Sequence, residues 1–454
     1  MSRACHPARP ADGLPPHPAL RVRSATMTHS GAMTEQPMPQ MPTTSRRRGL
    51  SNRARWTVPL VAAAAVGIAF AAPPLLASAD SSGLPTISPE QLAAQVAAAP
   101  QQPLSGTVVY TARLGLPALP FKDVGGANPV SLLGGSSTMR VWTDGAERSR
   151  AALLGDVSEY SVVQDGPQAW TYSSTDNAVV HYTLDAADTA RYDDLSAKAA
   201  AGDLPVTGDL PTPAEAGQQA VAMAKQYSTV ALDAQTTVAG RDAYQLVVTP
   251  KSQTTLIGRI VVAVDAKTST PLRLQVWSRS DTKTPSLELG FTDVSFGTPA
   301  DSVLSFSAPP GASTKDVVVP LPEEGAQAPA VPGTLPEGVT VSGTGWDSVV
   351  QAFGVDVPGL LAGDPAAATS LPGAKRQFDS KGAQQLYDQF APENKRGSGS
   401  PIGSLDTSAL YDQLTTVVPE GHLLTSALLS VLVTDDGRVL VGAVPGATLQ
   451  ALAR

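Results

Sequence analysis

Residues 238–306 alternate short apolar runs with turn residues, and this punctuation limits what the chain can become more than any other feature of it. The runs 242–249, 259–265, 271–277, 286–291 and 302–306 have strand length. In several of them apolar residues recur at every second position, the period of a strand with one face buried. Leu272, Leu274 and Val276 fall on one side, and Arg273 and Gln275 on the other. The separators at 239–241, 249–251, 265–271 and 297–299 supply Gly, Pro, Asp, Ser and Thr, the residues of tight turns. Links this short cannot carry the crossover of a parallel pair, so an antiparallel meander is expected.

At 454 residues the chain exceeds one ordinary core, which gives one large domain or two smaller ones. Its 40 Pro and 39 Gly add many turns and at least one linker. The one cysteine, Cys5, lies upstream of everything patterned like a fold. A disulfide framework and a Cys-based metal site are therefore excluded. Residues 1–79 hold nine Arg and no Lys against Asp12 and Glu35, a balance of +7. With a total of -8, the rest of the chain carries -15. Sequence-independent nucleic-acid binding needs clustered Lys and Arg, and no such patch exists there.

Residues 1–40 lack periodicity and read as a disordered upstream extension, with Met27, Met33 and Met41 as alternative starts. Residues 41–79 then have the order of an export signal: Arg46-Arg47-Arg48 with Arg53 and Arg55, an apolar run over 56–76, and Ala77-Ser78-Ala79 before Asp80. Cleavage after Ala79 is expected. The alternative is a retained N-terminal anchor, since 21 residues just span about 30 Å of hydrocarbon, although Pro59, Pro73 and Pro74 interrupt the run. Either way the remainder is extracytoplasmic.

Ser88-Pro89-Glu90-Gln91 opens a short helix with a capping box. Strands begin at 107–114, and the Pro- and Gly-rich 116–135 reads as a loop or flap. Asp144-Gly145 and Asp165-Gly166-Pro167 mark hairpins, and 185–210 reads as polar loop. Thr212-Pro213-Ala214-Glu215 opens a helix running to 230, with Ala216, Ala220, Met223, Ala224 and Tyr227 as an apolar stripe that should lie across a sheet. Residues 313–345, dominated by Pro, Ala, Gly and Glu, read as a linker. Residues 346–454 form a C-terminal extension with a short amphipathic turn or helix near each of 346–353 and 380–390, ending in a hairpin about Asp436-Gly437 and a short helix.

No catalytic or metal-binding constellation is legible. After the export signal only His181 and His422 remain; there is no H-E-x-x-H, P-loop or G-x-S-x-G, and Gly343-Thr344-Gly345 lacks the context of a dinucleotide site. The carboxylate pairs Asp193-Asp194, Glu323-Glu324 and Asp435-Asp436 read as solvated charge. No enzymatic activity, cofactor or metal is expected.

Three fragments in order carry a resemblance: Val162-Val163-Gln164-Asp165-Gly166 with Trp170-Thr171-Tyr172; Val238-Ala239-Gly240-Arg241-Asp242-Ala243-Tyr244-Gln245-Leu246; and Val264-Asp265-Ala266-Lys267-Thr268-Ser269-Thr270-Pro271. Together they resemble the LolA / RseB (MucB) superfamily, in its exported actinobacterial branch, over about residues 88–312. The resemblance implies an α+β fold over 80–312: a strongly curved antiparallel half-barrel with helices on its concave side. It also implies a partner, either a lipid or lipoprotein acyl chain or, in RseB-like proteins, the extracytoplasmic part of a membrane signalling protein. The candidate lining of the apolar cavity is Tyr110, Val141, Trp142, Trp170, Tyr172, Tyr182, Leu246, Val248, Ile260, Val262, Leu274, Val276, Leu289 and Phe291. Taken singly, apolar strand residues of this kind also suit a dry core.

Overall fold

The computed structural model describes residues 83–117, 127, 129–201, 213–319, 321, 335, 338–362, 367, 370, 371 and 407–454. The upstream extension, the export signal, parts of the 116–135, 185–210 and 313–345 segments, and the helix expected at 380–390 lie outside these residues. Among the described residues no helix is long and apolar enough to cross a membrane.

The helix opened by Ser88 is α1 (Pro89–Ala98), with both halves of its capping box made: the Gln91 amide donates to Ser88 Oγ at 3.1 Å and the Ser88 amide to Gln91 Oε1 at 2.8 Å. It is followed by β1 (Leu104–Ala112), β2 (Gly135–Thr143), β3 (Arg148–Leu154), β4 (Glu159–Asp165), β5 (Gln168–Ser173) and β6 (Ala178–Thr183). Two helices, α2 (Ala186–Ala201) and α3 (Pro213–Tyr227), precede a second run of strands: β7 (Ser228–Val238), β8 (Arg241–Pro250), β9 (Ile257–Asp265), β10 (Pro271–Ser278) and β11 (Leu287–Phe296). A four-residue α4 (Asp301–Leu304) leads to β12 (Ser313–Val318).

All twelve strands form one open, strongly curved sheet in the order β12-β6-β5-β4-β3-β2-β1-β11-β10-β9-β8-β7. The fold is α+β and the barrel is not closed. Each meander is built by local hairpins. Ala239 and Gly240, both at positive φ (51° and 73°), supply the two-residue turn whose twist suits adjacent antiparallel strands. The join between meanders is non-local: β1 pairs along its length with β2 on one side and with β11, from Leu104↔Phe296 to Ala112↔Leu287, on the other.

The C-terminal residues add a six-stranded sheet, β13 (Val339–Ser342), β14 (Val349–Ala352), β15 (Thr416–Val418), β16 (Gly421–Thr425), β17 (Ser430–Thr434) and β18 (Val439–Gly442), in the order β13-β14-β18-β17-β16-β15. Beside it are α5 (Val357–Leu361), α6 (Thr407–Leu414) and α7 (Gly446–Ala453). Its core is Val349, Leu432, Leu440, Val444 and Leu449. Of the turn or helix expected over 346–353, the turn is found, a 3₁₀ turn (Gly345–Asp347), and the rest is β14, because Val349 and Gln351 alternate inward while Val350 points out.

Several expectations are corrected. The expected loop at 185–210 begins as α2: Asp185 caps it, its Oδ1 accepting from the Asp188 amide at 2.8 Å, and Arg191–Asp188 and Lys198–Asp194 pairs run along its surface. Helix α3 stops at Tyr227, three residues short of the expected end, because Ser228 and Val230 are already inward-facing strand positions. Its buried stripe is Gly217 and Val221; Met223 and Tyr227 are exposed. It packs on α1 rather than flat on the sheet, and Gly217 permits this, since a Cβ there would lie 2.5 Å from the Ala94 nitrogen. The run 302–306 is mostly α4 and not a strand. The linker expected from 313 opens with β12, which pairs parallel to β6 with Val317 fully buried. The pair is joined by residues 184–312, which include all of β7 to β11, far longer than a parallel crossover needs. Leu272 joins the cluster of Val238, Ala243 and Ala263, apart from Leu274 and Val276, at a register shift between Pro271 and Arg273.

At the β1–β11 seam the ladder shifts register between Thr107 and Val108. A Cβ on Gly106 would lie 2.6 Å from the Asp293 carbonyl oxygen and 2.8 Å from the Phe291 ring. Gly106→Ala therefore lowers stability by about 1–3 kcal/mol, read as a lower denaturation midpoint, whereas Gly240→Ala, with open space around it, acts only through its positive φ.

Candidate ligand-binding face

The pairing register sorts the expected lining residues. Tyr110, Leu289, Leu274, Val262, Leu246 and Leu232 stand opposite one another in turn across β1, β11, β10, β9, β8 and β7. This row is half-buried throughout. Beside it runs a second row on the same face: Ala112, Leu287, Val276, Ile260, Val248 and Val230. On its other side lie Val264 and Tyr244.

The flanking rows hold the buried residues Tyr244, Val264, Ile260 and Val276, while the middle row is partly buried throughout. Leu92 and Val96 of α1, with Leu84 and Ile87, pack over Tyr244 and Val264. The segment before α1 is tied down by Gln235, whose side chain accepts from the Leu84 amide and donates to its carbonyl, and by the Tyr244 hydroxyl on Pro85 O at 3.0 Å. Over Ile257, Ile260 and Val276 sits Leu428 from the β16–β17 turn, with Ala427, Ala443 and Trp346 around it. The second sheet is fastened there by polar bonds. The Leu256 amide donates to Ala443 O and the Ala427 amide to Leu114 O, both at 2.7 Å; Trp346 Nε1 donates to Ser228 Oγ at 3.0 Å; Ser252 and Thr254 hydroxyls both donate to Asp347 Oδ1 at 2.6 Å.

The middle row is thus an apolar floor between α1 and the second sheet, about 24 Å long over six strands at about 4.8 Å spacing. Burial pushes the Tyr110 hydroxyl's pKa up, keeping a neutral phenol on that floor.

The other expected residues divide. Val141 and Tyr182 share the face of Tyr110, on the β2–β6 side. Burial raises the Tyr182 pKa, with Tyr160 adding to the shift and a Thr171 hydrogen bond opposing it; the register places both neighbours on this face. Ile260 and Val276 pack with Leu428 of the second sheet, Val248 stands partly buried beside Ile260 in the same row, and Phe291 packs with Val238, Ala243 and Leu272. Trp142, Trp170 and Tyr172 point to the opposite face, because alternation sets them one residue out of phase. There Trp142 lies beneath Arg140 at 4.9 Å, and Trp170 stacks on His181 and on Phe306 of the crossover to β12. A separate surface depression of about 390 Å³ beside the C-terminal end of α1 and the β9–β10 turn contains none of the expected residues.

The two histidines have structural partners. His181 Nδ1 lies 2.9 Å from Asp316 Oδ1 on β12 and Nε2 lies 3.0 Å from Gln168 Oε1, which ties the parallel edge strand to β6. His422 packs against Tyr411 of α6 and lies 3.3 Å from Thr415 Oγ1.

Two of the fragments that carry the resemblance meet in a clasp. Arg241 donates from Nε and Nη2 to Asp265 at 2.5 and 3.0 Å, while its guanidinium stacks over Phe296 at 4.5 Å. Asp265, 1% exposed, also accepts from the Lys267 and Thr268 amides and the Thr268 hydroxyl. Burial alone would raise its pKa, but the Arg241 and Thr268 bonds outweigh it and the net direction is down. The signal for this clasp was in the sequence, a basic and an acidic residue each beside a hairpin turn, yet only register shows that they meet.

No protein-family model matches the chain, and no curated protein does. Among solved structures it is similar to MucB (18% identity, 80% of this chain and 96% of that one, TM-score 0.33) and to the Pseudomonas aeruginosa MucA/MucB complex (19%, 80% and 95%, TM-score 0.34). It is also similar to a LolA superfamily protein from Nitrosomonas europaea (10% identity, 49% and 99%, TM-score 0.19).

Asp265→Ala, by leaving the Arg241 charge without its partner, lowers stability by about 3–5 kcal/mol. Because the folded-state pKa lies below the unfolded value near 4, the clasp's contribution is full above about pH 4 and is lost as pH falls through the folded value. Denaturation of both proteins across pH 2–6 should show their stability gap closing on the acid side. The likeness these comparisons describe is to MucB and LolA-superfamily structures.

Proposed function

We propose that the chain is an extracytoplasmic, non-enzymatic protein that holds an acyl chain along this apolar floor, with the face bearing α1 as the concave side of the sheet. One observation carries this reading. The row from Tyr110 to Leu232 is continuous, apolar and only partly buried along its whole length, between α1 on one side and the second sheet on the other. Each methylene sequestered contributes about 0.8 kcal/mol, so a single long chain suffices for useful affinity. The export-signal order of residues 41–79 and the family resemblance both support a role outside the cytoplasm with a lipid or lipoprotein as guest.

A second reading, an RseB-like module for the extracytoplasmic part of a membrane signalling protein, has one observation in its favour. The face of the second sheet away from α7 carries Val341, Val350 and Val441 in a row, each 37–43% exposed. Such a face suits a protein segment better than a lipid, and capture of one membrane protein with no lipid bound would favour it.

Leu289→Glu sets a carboxylate in the floor where its desolvation is costly. Binding of hexadecanoate should weaken at least tenfold with circular dichroism unchanged, whereas Trp142→Ala, on the opposite face, leaves it within twofold. Equal binding by wild type and Leu289→Glu would refute the floor as the site.

A further inference from the structure

Among the described residues the second sheet ends, at β13, in an unguarded edge. Gly338 O accepts from the Phe353 amide at 2.8 Å, so the hydrogen-bonded pairs of the β13–β14 ladder are Gly338/Phe353, Thr340/Gln351 and Ser342/Val349. Val339 and Val341 therefore turn both their N–H and C=O groups away from the sheet, and no hydrogen bond reaches those groups among the described residues. Val339–Ser342 contains no charge, proline or bulge. The other three sheet ends carry devices that discourage pairing. On β7 a register shift separates Asp233 from Thr236, and Asp233 Oδ1 takes the Ala234 amide at 2.8 Å; β12 carries Lys315 and Asp316; β15 is three residues long.

We propose that this edge pairs with the same edge of a second copy of the chain, making a two-fold dimer through a continuous antiparallel sheet. The edge is complementary to itself. A two-fold axis normal to the sheet at Thr340 sets Val339 opposite the second copy's Val341, and Val341 opposite its Val339. Each of these pairs exchanges two main-chain hydrogen bonds, and no other register joins all four outward groups to groups of β13. The valine side chains then stand beside one another on the outer face, in line with Val350 and Val441. Thr340 meets its own copy as a non-hydrogen-bonded pair, with the two Cα atoms about 4.5 Å apart. Cross-strand pairs of β-branched residues and of threonines are favourable. Four residues a side make a small interface, so the dimer belongs to the weak, reversible class.

The test is sedimentation equilibrium of the full chain and of two charge variants at Thr340, an exposed position whose main-chain groups stay paired with β14. Wild type should show a monomer–dimer equilibrium with a Kd on the order of 100 µM. Thr340→Lys and Thr340→Glu each set like charges directly opposite across the axis, and each should raise the Kd at least fivefold with circular dichroism unchanged. An equimolar mixture of the two variants places Lys against Glu and should associate to within twofold of wild type. A wild type that stays monomeric at about 200 µM, variants that associate within fivefold of it, or a mixture no tighter than its components overturns the edge pairing. In the last two cases an association lost in Val350→Glu, at the middle of the outer face, would assign the contact to stacked faces instead.

Discussion

The seam between β1 and β11 is the constraint on which the rest of the molecule depends. Every other antiparallel pair in the large sheet is made by neighbours in sequence, but β1 must find a partner more than 170 residues away to join the two meanders. Until it does, the row from Tyr110 to Leu232 is split between β1 and the β7–β11 meander. Such long-range pairing is slow to form, because the closure entropy comes before the contacts that repay it. The seam is also tight: Gly106 leaves room for the Phe291 ring and for the register shift beside it.

Once the seam exists, one face is continuous and the problem becomes how to cover it. Helix α1 takes one flank and the second sheet the other, the latter fixed by main-chain bonds from the β8–β9 loop and from Leu114. The C-terminal residues are therefore packed into the main sheet and not an appendage to it.

Much of the fold was legible because strand alternation and turn chemistry are local. The runs over 242–249, 259–265, 271–277 and 286–291 became β8 to β11, and Ser88 to Gln91 made the capping box that their types demand. What sequence could not give was phase. Trp142, Trp170 and Tyr172 are as apolar as Tyr110, but a residue's face depends on the register of a strand against its partners, and these three fall on the side of the crossover to β12. Helix α2 was missed because its polar, Ala-rich sequence has no apolar stripe, and β12 because a single buried Val317 does not distinguish an edge strand from a linker. The clasp of Arg241 on Asp265 shows the converse: a recognisable motif whose residues serve the fold.

A fatty acid carrying a photoreactive diazirine at its terminal carbon, cross-linked to the full chain and mapped by peptide mass spectrometry, addresses the central claim most directly. Adducts should concentrate on Tyr110, Leu274, Leu289 and the Leu428 turn, and excess hexadecanoate should suppress them. Labelling that instead falls on the Val341, Val350 and Val441 face of the second sheet, or scatters without competition, would contradict this placement.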